Sequence, residues 1–209
     1  MKQIYILSEK KFKGAQNLPC IIINHIKKDI DLTSYEALIF TSKNGVKAID
    51  SINKSWKDFP SYSIGTGTSK TIKELGGRVV YEAKSSYGND FAREIKKRLA
   101  GKKVLFLRAK KVTSRLNKIL RENGVILDEE IVYETICNDC KNLQTPPNGS
   151  CIIFSSPSTI ECFFKCFSWD NSYNAVVIGE VTLKALPKNI PYILSDEPNI
   201  PSCITKCKS

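Results

Sequence analysis

The sequence contains a single histidine, a single methionine and no apolar run long enough for a membrane-spanning helix. His25 has no recognisable catalytic context, so no Cys-His-Asp hydrolase arrangement is indicated. A P-loop lysine pattern is also missing. Gly65-Thr66-Gly67 lacks the third glycine of a dinucleotide fingerprint, because Lys70 occupies that place. We therefore predict no nucleotide, flavin or other cofactor.

The N-terminal residues lead directly into a strand pattern and carry no signal-peptide pattern, so we expect a cytoplasmic protein without membrane contact. Without an export signal, the eight cysteines of this 209-residue chain are expected to be reduced thiols that fill small apolar spaces. A zinc site is the alternative. Cys137-x-x-Cys140 is the only metal-like spacing, and Cys203 and Cys207 could complete four ligands.

The formal net charge of +11 suggests an anionic partner, which could be nucleic acid, a membrane surface or a polyanionic small molecule. The lysines, however, are scattered in short clusters that are typical of a solvated surface. No dense basic tail and no aromatic-basic motif of an RNA-binding protein is present. We predict no nucleic-acid partner.

One stretch combines a buried strand with a hydroxyl-rich turn. Cys151–Phe154 consists of four apolar residues, Ser155 and Ser156 follow, and apolar residues at helical spacing come next. A strand that leads into a helix N-terminus leaves free backbone N–H groups beyond the sheet, and such groups favour anions.

The same pattern occurs earlier in the chain. Phe40-Thr41-Ser42 matches Phe154-Ser155-Ser156 at an offset of 114 residues, and at that offset Gly65 and Thr68 match Gly179 and Thr182. The chain therefore looks like two copies of one α/β unit. Strands alternate with helices throughout, which predicts parallel sheets whose ligands bind beyond the carboxyl ends of the strands.

Five segments together resemble the uroporphyrinogen-III synthase family, and they span nearly the whole chain. They are Phe40–Val46, Ile64-Gly65-x-x-Thr68, Val132–Thr135, Phe154–Ser158 and Ile178-Gly179-x-x-Thr182. The resemblance implies two similar flavodoxin-like α/β domains with parallel sheets, joined by a two-stranded β-ladder, with the active site in the cleft between them. It places 1–28 with 138–209 in the first domain, 33–130 in the second, and the ladder at 23–30 and 131–136.

The implied reaction cyclises hydroxymethylbilane, a linear tetrapyrrole with eight carboxylates, to uroporphyrinogen III with loss of water and inversion of ring D. The enzyme would be a cofactor-independent carbon–oxygen lyase of tetrapyrrole and haem biosynthesis. It would be a monomer that contacts the preceding deaminase transiently, and no metal is expected. A net charge of +11 would attract such an octa-anion.

By its match to the family, Tyr133 is the candidate catalytic acid, and its alternative role is that of a tyrosine packed in the ladder. Thr182 either binds substrate or caps a helix. Arg108 could meet a carboxylate or lie at the surface, and Lys43 and Lys70 could steer the anion. The candidate substrate-binding residues are Thr41, Ser42, Gly65, Thr66, Thr68, Ser155, Ser156, Gly179 and Thr182.

Two other classes of function remain open at this point. A two-domain α/β binding protein that closes on a small anionic ligand without catalysis would share the duplicated architecture. A nucleic-acid-binding protein is suggested only by the net charge.

Overall fold

The structure is a computed structural model that describes residues 2–8, 10–26 and 28–208. The predicted ladder includes Lys27, which lies outside the described residues. The strands are β1 Ile4–Ile6, β2 Gln16–Asn17, β3 Ile21–His25, β4 Ala37–Phe40, β5 Pro60–Ser63, β6 Arg78–Glu82, β7 Lys103–Ala109, β8 Ile126–Cys137, β9 Cys151–Phe154, β10 Asn174–Val177 and β11 Tyr192–Leu194. The helices are α1 Lys43–Ile52, α2 Thr66–Glu74, α3 Gly88–Leu99, α4 Leu116–Arg121, α5 Pro157–Cys166, α6 Glu180–Leu183 and α7 Ile200–Lys208.

The chain divides into two compact units. Unit 1 comprises Met1–Ile22 and Thr135–Ser209, and unit 2 comprises Ile23–Glu134. The predicted α/β class with parallel sheets is confirmed, whereas the predicted division into domains stays a prediction. Strand β3 ends at His25, so 26 and 28–30 of the predicted ladder are not strand. Within the described ranges, no helix is both long and apolar enough to cross a bilayer.

The two sheets share one spatial order but connect their strands differently. One sheet has the order β2-β1-β9-β10-β11, and the other has β8-β7-β4-β5-β6 with β3 added beside β8. Strands β4 and β5 thus correspond to β9 and β10, as the repeat predicts, and β7 corresponds to β1. In unit 2 the corresponding strands follow one another along the chain as β4, β5, β6, β7 and β8. Unit 1 begins instead with β1 and β2, the counterparts of β7 and β8, and continues with β9, β10 and β11, the counterparts of β4, β5 and β6. The units are related by a circular permutation of the connections.

Strands β4 and β9 are buried on both faces. In β4, Ala37 and Ile39 belong to one apolar cluster, and Leu38 and Phe40 belong to another. In β9, Ile152 and Phe154 likewise face one cluster, while Cys151 and Ile153 face a second. Successive side chains of a strand point to opposite faces, so a run of four apolar residues forms a central strand covered on both sides.

The predicted ladder strand at 131–136 is part of a longer strand, because β8 runs without interruption from Ile126 to Cys137. The acidic run Asp128-Glu129-Glu130 hides this strand in the sequence. Glu129 is balanced by the Nε atom of Arg108 at 2.7 Å and a terminal nitrogen of Arg121 at 2.9 Å, and it accepts a hydrogen bond from Asn117 at 3.0 Å. These partners come from β7 and α4, and they allow a carboxylate to occupy the interior of a strand.

Two further local features do not follow from the sequence pattern. Asn89 and Asp90 are residue types that favour N-caps, but α3 begins at Gly88, and its N-cap, Tyr87, makes no side-chain hydrogen bond. The Asn89 side chain instead accepts the backbone N–H of Arg115 at 2.7 Å. The short strand β2 at Gln16–Asn17 was not predicted, because a two-residue polar strand leaves no periodic signal.

The prediction of reduced thiols is wrong for six of the eight cysteines. Disulfides join Cys137 to Cys162, Cys140 to Cys166 and Cys151 to Cys207. Cys20 and Cys203 are free and buried, and burial raises the pKa of the Cys20 thiol to about 12. The alternative zinc site is wrong as well, because three of its four cysteines belong to three different disulfides.

Replacing Glu129 with Gln should lower the free energy of unfolding at neutral pH by about 2 kcal/mol, because two arginines lose their carboxylate. Burial raises the pKa of Glu129. Hydrogen bonding from Asn117 and the charges of Arg108 and Arg121 outweigh this effect and hold the pKa below its usual value. The contribution of Glu129 to the free energy of unfolding is therefore fully present above the ordinary pKa of glutamate, and it is lost as the pH falls through the lowered pKa. Urea denaturation at several pH values measures the difference, which should shrink on acidification.

Glu122→Gln is the matched control, because Glu122 forms an exposed i,i+4 pair with Lys118. It should change stability by less than about 0.5 kcal/mol. Equal effects of the two substitutions would contradict the structural role of Glu129.

Candidate functional site

In unit 2, the register of β4 and β5 places two turns side by side. Phe40 pairs with Ser63, so Thr41 and Ser42 after β4 lie beside Gly65 and Thr66 after β5, at the carboxyl edge of the sheet. Ligands of open α/β sheets bind at this edge.

The first of these turns has a side-chain cap and the second does not. Ser42 is the N-cap of α1, and its hydroxyl accepts the backbone N–H of Asn44 at 3.2 Å. Gly65 is the N-cap of α2, has φ 72° and offers no side chain to the first turn. A Cβ atom at Gly65 or Gly67 would meet nothing within 4 Å. The first turn of α2 is therefore open to a ligand.

Tyr133 joins the same site from β8. Its side chain is 7% exposed and packs in the cluster that contains Phe40 and Val46. Burial raises the pKa of the Tyr133 phenol above its usual value, and a hydrogen bond with Ser42 acts in the opposite direction. The candidate acid and a candidate binding residue are thus in contact, and the phenol keeps its proton at neutral pH.

Unit 1 repeats the arrangement with β9 and β10. Phe154 pairs with Val177, so Ser155 and Ser156 lie beside the turn that contains Gly179. Ser156 is the N-cap of α5 and forms a capping box with Thr159. The Ser156 hydroxyl accepts the Thr159 N–H at 3.3 Å, and the Thr159 hydroxyl accepts the Ser156 N–H at 3.1 Å. Sequence reasoning missed Thr159, although Ser-x-x-Thr is similar to the capping-box pattern.

The glycine turn of unit 1 is again uncapped. Gly179 is the N-cap of α6, which has no side-chain cap. Thr182 is 4% exposed and is the third residue of α6, so it is not the cap of this helix. Thr68 holds the equivalent position in α2 and is 6% exposed. In each unit, a serine-capped turn lies next to a glycine turn without a cap.

The charged candidates are engaged with protein partners. Arg108 pairs with Glu129 and donates to the backbone carbonyls of Ala109 and Lys110, so it has a structural role. Lys70 is exposed and lies 3.7 Å from Glu74. The described residues contain no group of three or more histidine, cysteine or acidic side chains placed to hold a metal ion.

A cavity of about 420 Å³ lies elsewhere in unit 1, between the end of α6 and β11. Its lining contains none of the predicted site residues. The residues that line it are Leu183, Lys184, Leu186, Pro187, Lys188, Ile190 and Tyr192.

Fold and turns together define a duplicated α/β protein in which the candidate binding groups of each unit are backbone N–H groups and hydroxyls at the carboxyl ends of parallel strands. The sequence profile of uroporphyrinogen-III synthase HemD matches residues 9–205, and the chain therefore belongs to the uroporphyrinogen-III synthase family. The family acts in tetrapyrrole biosynthesis. A search of curated protein sequences found no match.

Solved structures agree with this assignment. Uroporphyrinogen-III synthetase from Helicobacter pylori is 26% identical with a TM-score of 0.85, and the match covers 100% of this chain and 99% of that one. A mutant uroporphyrinogen III synthase from Thermus thermophilus is 12% identical with a TM-score of 0.56, covering 92% and 87%. The second likeness concerns the fold alone.

Gly45 allows α1 to pack closely against the neighbouring strand β7. A Cβ atom at Gly45 would lie 2.9 Å from the carbonyl oxygen of Leu107, so this glycine allows α1 to approach the end of β7. Gly45→Ala should therefore lower the free energy of unfolding by about 1–3 kcal/mol, because backbone must move to make room.

Gly67→Ala is the control, because a Cβ atom there meets nothing and alanine favours a helix. It should leave stability unchanged or raise it by up to about 1 kcal/mol. Thermal and urea denaturation measure both variants, and a Gly45→Ala protein as stable as the parent would contradict the close approach.

Proposed function

We propose that this chain converts hydroxymethylbilane to uroporphyrinogen III and water, without a cofactor. The observation that carries the proposal is the family match, which extends over residues 9–205. The cytoplasmic location, the monomeric state and the transient contact with the deaminase stay predictions.

The substrate's carboxylates are proposed to bind at the turns after β4, β5, β9 and β10. Backbone N–H groups at helix N-termini bind carboxylates because they donate hydrogen bonds and carry partial positive charge. Gly65 and Gly179 leave such groups without a side-chain cap, which supports this assignment. The net charge of +11 would attract the octa-anion over a longer range.

The reaction depends more on how the protein positions the substrate than on strong acids or bases. Loss of the ring A hydroxyl as water gives an azafulvene cation, and ring D attacks it through its substituted carbon. The resulting spiro intermediate fragments and recloses with ring D inverted. Pyrrole rings supply most of this reactivity, so the protein's part is to hold the folded substrate and exclude direct closure.

Tyr133 is proposed to donate a proton to the departing hydroxyl. Its burial keeps the phenol protonated, and the hydrogen bond with Ser42 orients it. A phenol is a weak acid, but a leaving group that the pyrrole nitrogen already expels needs only partial proton transfer.

An isomer assay tests the function directly. Hydroxymethylbilane is generated from porphobilinogen with a deaminase, the protein is added, and the products are oxidised and separated by chromatography. We expect uroporphyrin III in place of the isomer I that forms spontaneously. Isomer I alone, from protein shown to be folded, would overturn the proposal.

Tyr133→Phe tests the acid role. We expect turnover to fall about 100-fold with little change in KM, because the phenol acts on the leaving group and not on substrate binding. Tyr62→Phe is the control, since Tyr62 is similarly buried on β5 but faces the other apolar cluster of unit 2. Unchanged turnover in folded Tyr133→Phe protein would leave Tyr133 with a packing role only.

A further inference from the structure

The three disulfides of unit 1 differ in exposure. Cys151 and Cys207 are 0% and 2% exposed and lie in an apolar cluster. Cys140 and Cys166 are both partly exposed. The third disulfide is intermediate, because its Cys137 end is partly exposed and its Cys162 end is 2% exposed. Thiol–disulfide exchange requires an attacking thiolate to reach a sulfur atom, so exposure sets the order of reaction.

Two of these disulfides form one structural device, which we call the double disulfide: Cys137–Cys162 and Cys140–Cys166. Cys137 ends β8, and Cys140 begins the short 3-10 turn that follows. Cys162 and Cys166 are four residues apart in α5 and so lie on one face of the helix. The Cα–Cα distances are 5.1 and 5.0 Å. The double disulfide thus fastens α5 to the end of β8 through Cys137 and to the turn that follows through Cys140.

The helix that it holds carries part of the candidate site. Ser156 caps α5, and Ser155 precedes it in the turn after β9.

We propose that the double disulfide is a thiol–disulfide exchange site for a dithiol reductant, and that its opening loosens α5. A thiolate of the reductant attacks a sulfur of Cys140–Cys166 and releases the other cysteine as a thiolate. The second thiol of the reductant resolves this mixed disulfide, so two electrons and two protons pass to the protein and the reductant leaves as a disulfide. A second dithiol opens Cys137–Cys162 in the same way.

The test is stepwise reduction of the native protein with dithiothreitol at increasing concentration, followed by alkylation and mass mapping. We expect Cys140–Cys166 to open first, Cys137–Cys162 next, and Cys151–Cys207 only when urea unfolds the chain. Simultaneous opening of all three, or early opening of Cys151–Cys207, would overturn the proposal. Stoichiometric zinc on four thiols in protein purified without oxygen would also overturn it.

Hydrogen exchange measures the effect on α5. Reduction of the double disulfide should speed exchange of α5 amides by about tenfold, because a covalent restraint on local opening is lost. Cys140→Ser with Cys166→Ser should show part of this increase before reduction, and Cys203→Ser, which removes a free thiol, should show none. Unchanged α5 exchange after reduction would overturn the loosening.

An effect on turnover follows only if the proposed function holds. In that case mild reduction should change the rate of isomer III formation in the parent and not in a protein that already lacks both disulfides. A protein that makes no isomer III in either state would contradict the proposed function, whereas mass mapping and hydrogen exchange would still decide the exchange site.

Discussion

The register of the buried parallel strands decides where every candidate side chain lies. Phe40 pairs with Ser63, and Phe154 pairs with Val177, so the turns that follow begin at the same edge of their sheets. A slip of one residue in β4 would exchange the side chains that face the two apolar clusters, which well-packed cores resist. Strands of only four residues therefore suffice to hold the turns in fixed positions.

Much of this arrangement could be predicted from sequence, because the information is local. Four apolar residues, two hydroxyl residues and a helical periodicity predict a strand, a turn and a helix, and the second copy supports the reading of the first. The repeat shows a constant offset for β4 with β9 and for β5 with β10. It does not show that unit 1 starts at a different strand, because the order of connections is a property of the topology and not of any segment.

The failures at β8 and at the cysteines have a common physical origin, since each depends on residues that the fold brings together from different elements. From sequence alone, the acidic interior of β8 predicts a polar loop, because the pairing of Glu129 with Arg108 and Arg121 is visible only in the folded chain. The cysteines were expected to be reduced because of an inferred compartment, whereas pairing depends on which residues the fold brings together. Cys151 and Cys207 are 56 residues apart in sequence and yet share one apolar cluster.

The contrast between capped and uncapped turns bears on how an anion would be held. The capping box of α5 occupies both the hydroxyl and the N–H of Ser156, and the cap of α1 occupies the Ser42 hydroxyl as an acceptor. These groups fix the helices more than they offer donors to a ligand. The neighbouring glycine turns have no side-chain cap, so the donors proposed to bind carboxylates concentrate in the turns at Gly65 and Gly179. Under the proposed function, each serine turn would hold its helix in place, and each glycine turn would donate hydrogen bonds to a carboxylate of the substrate.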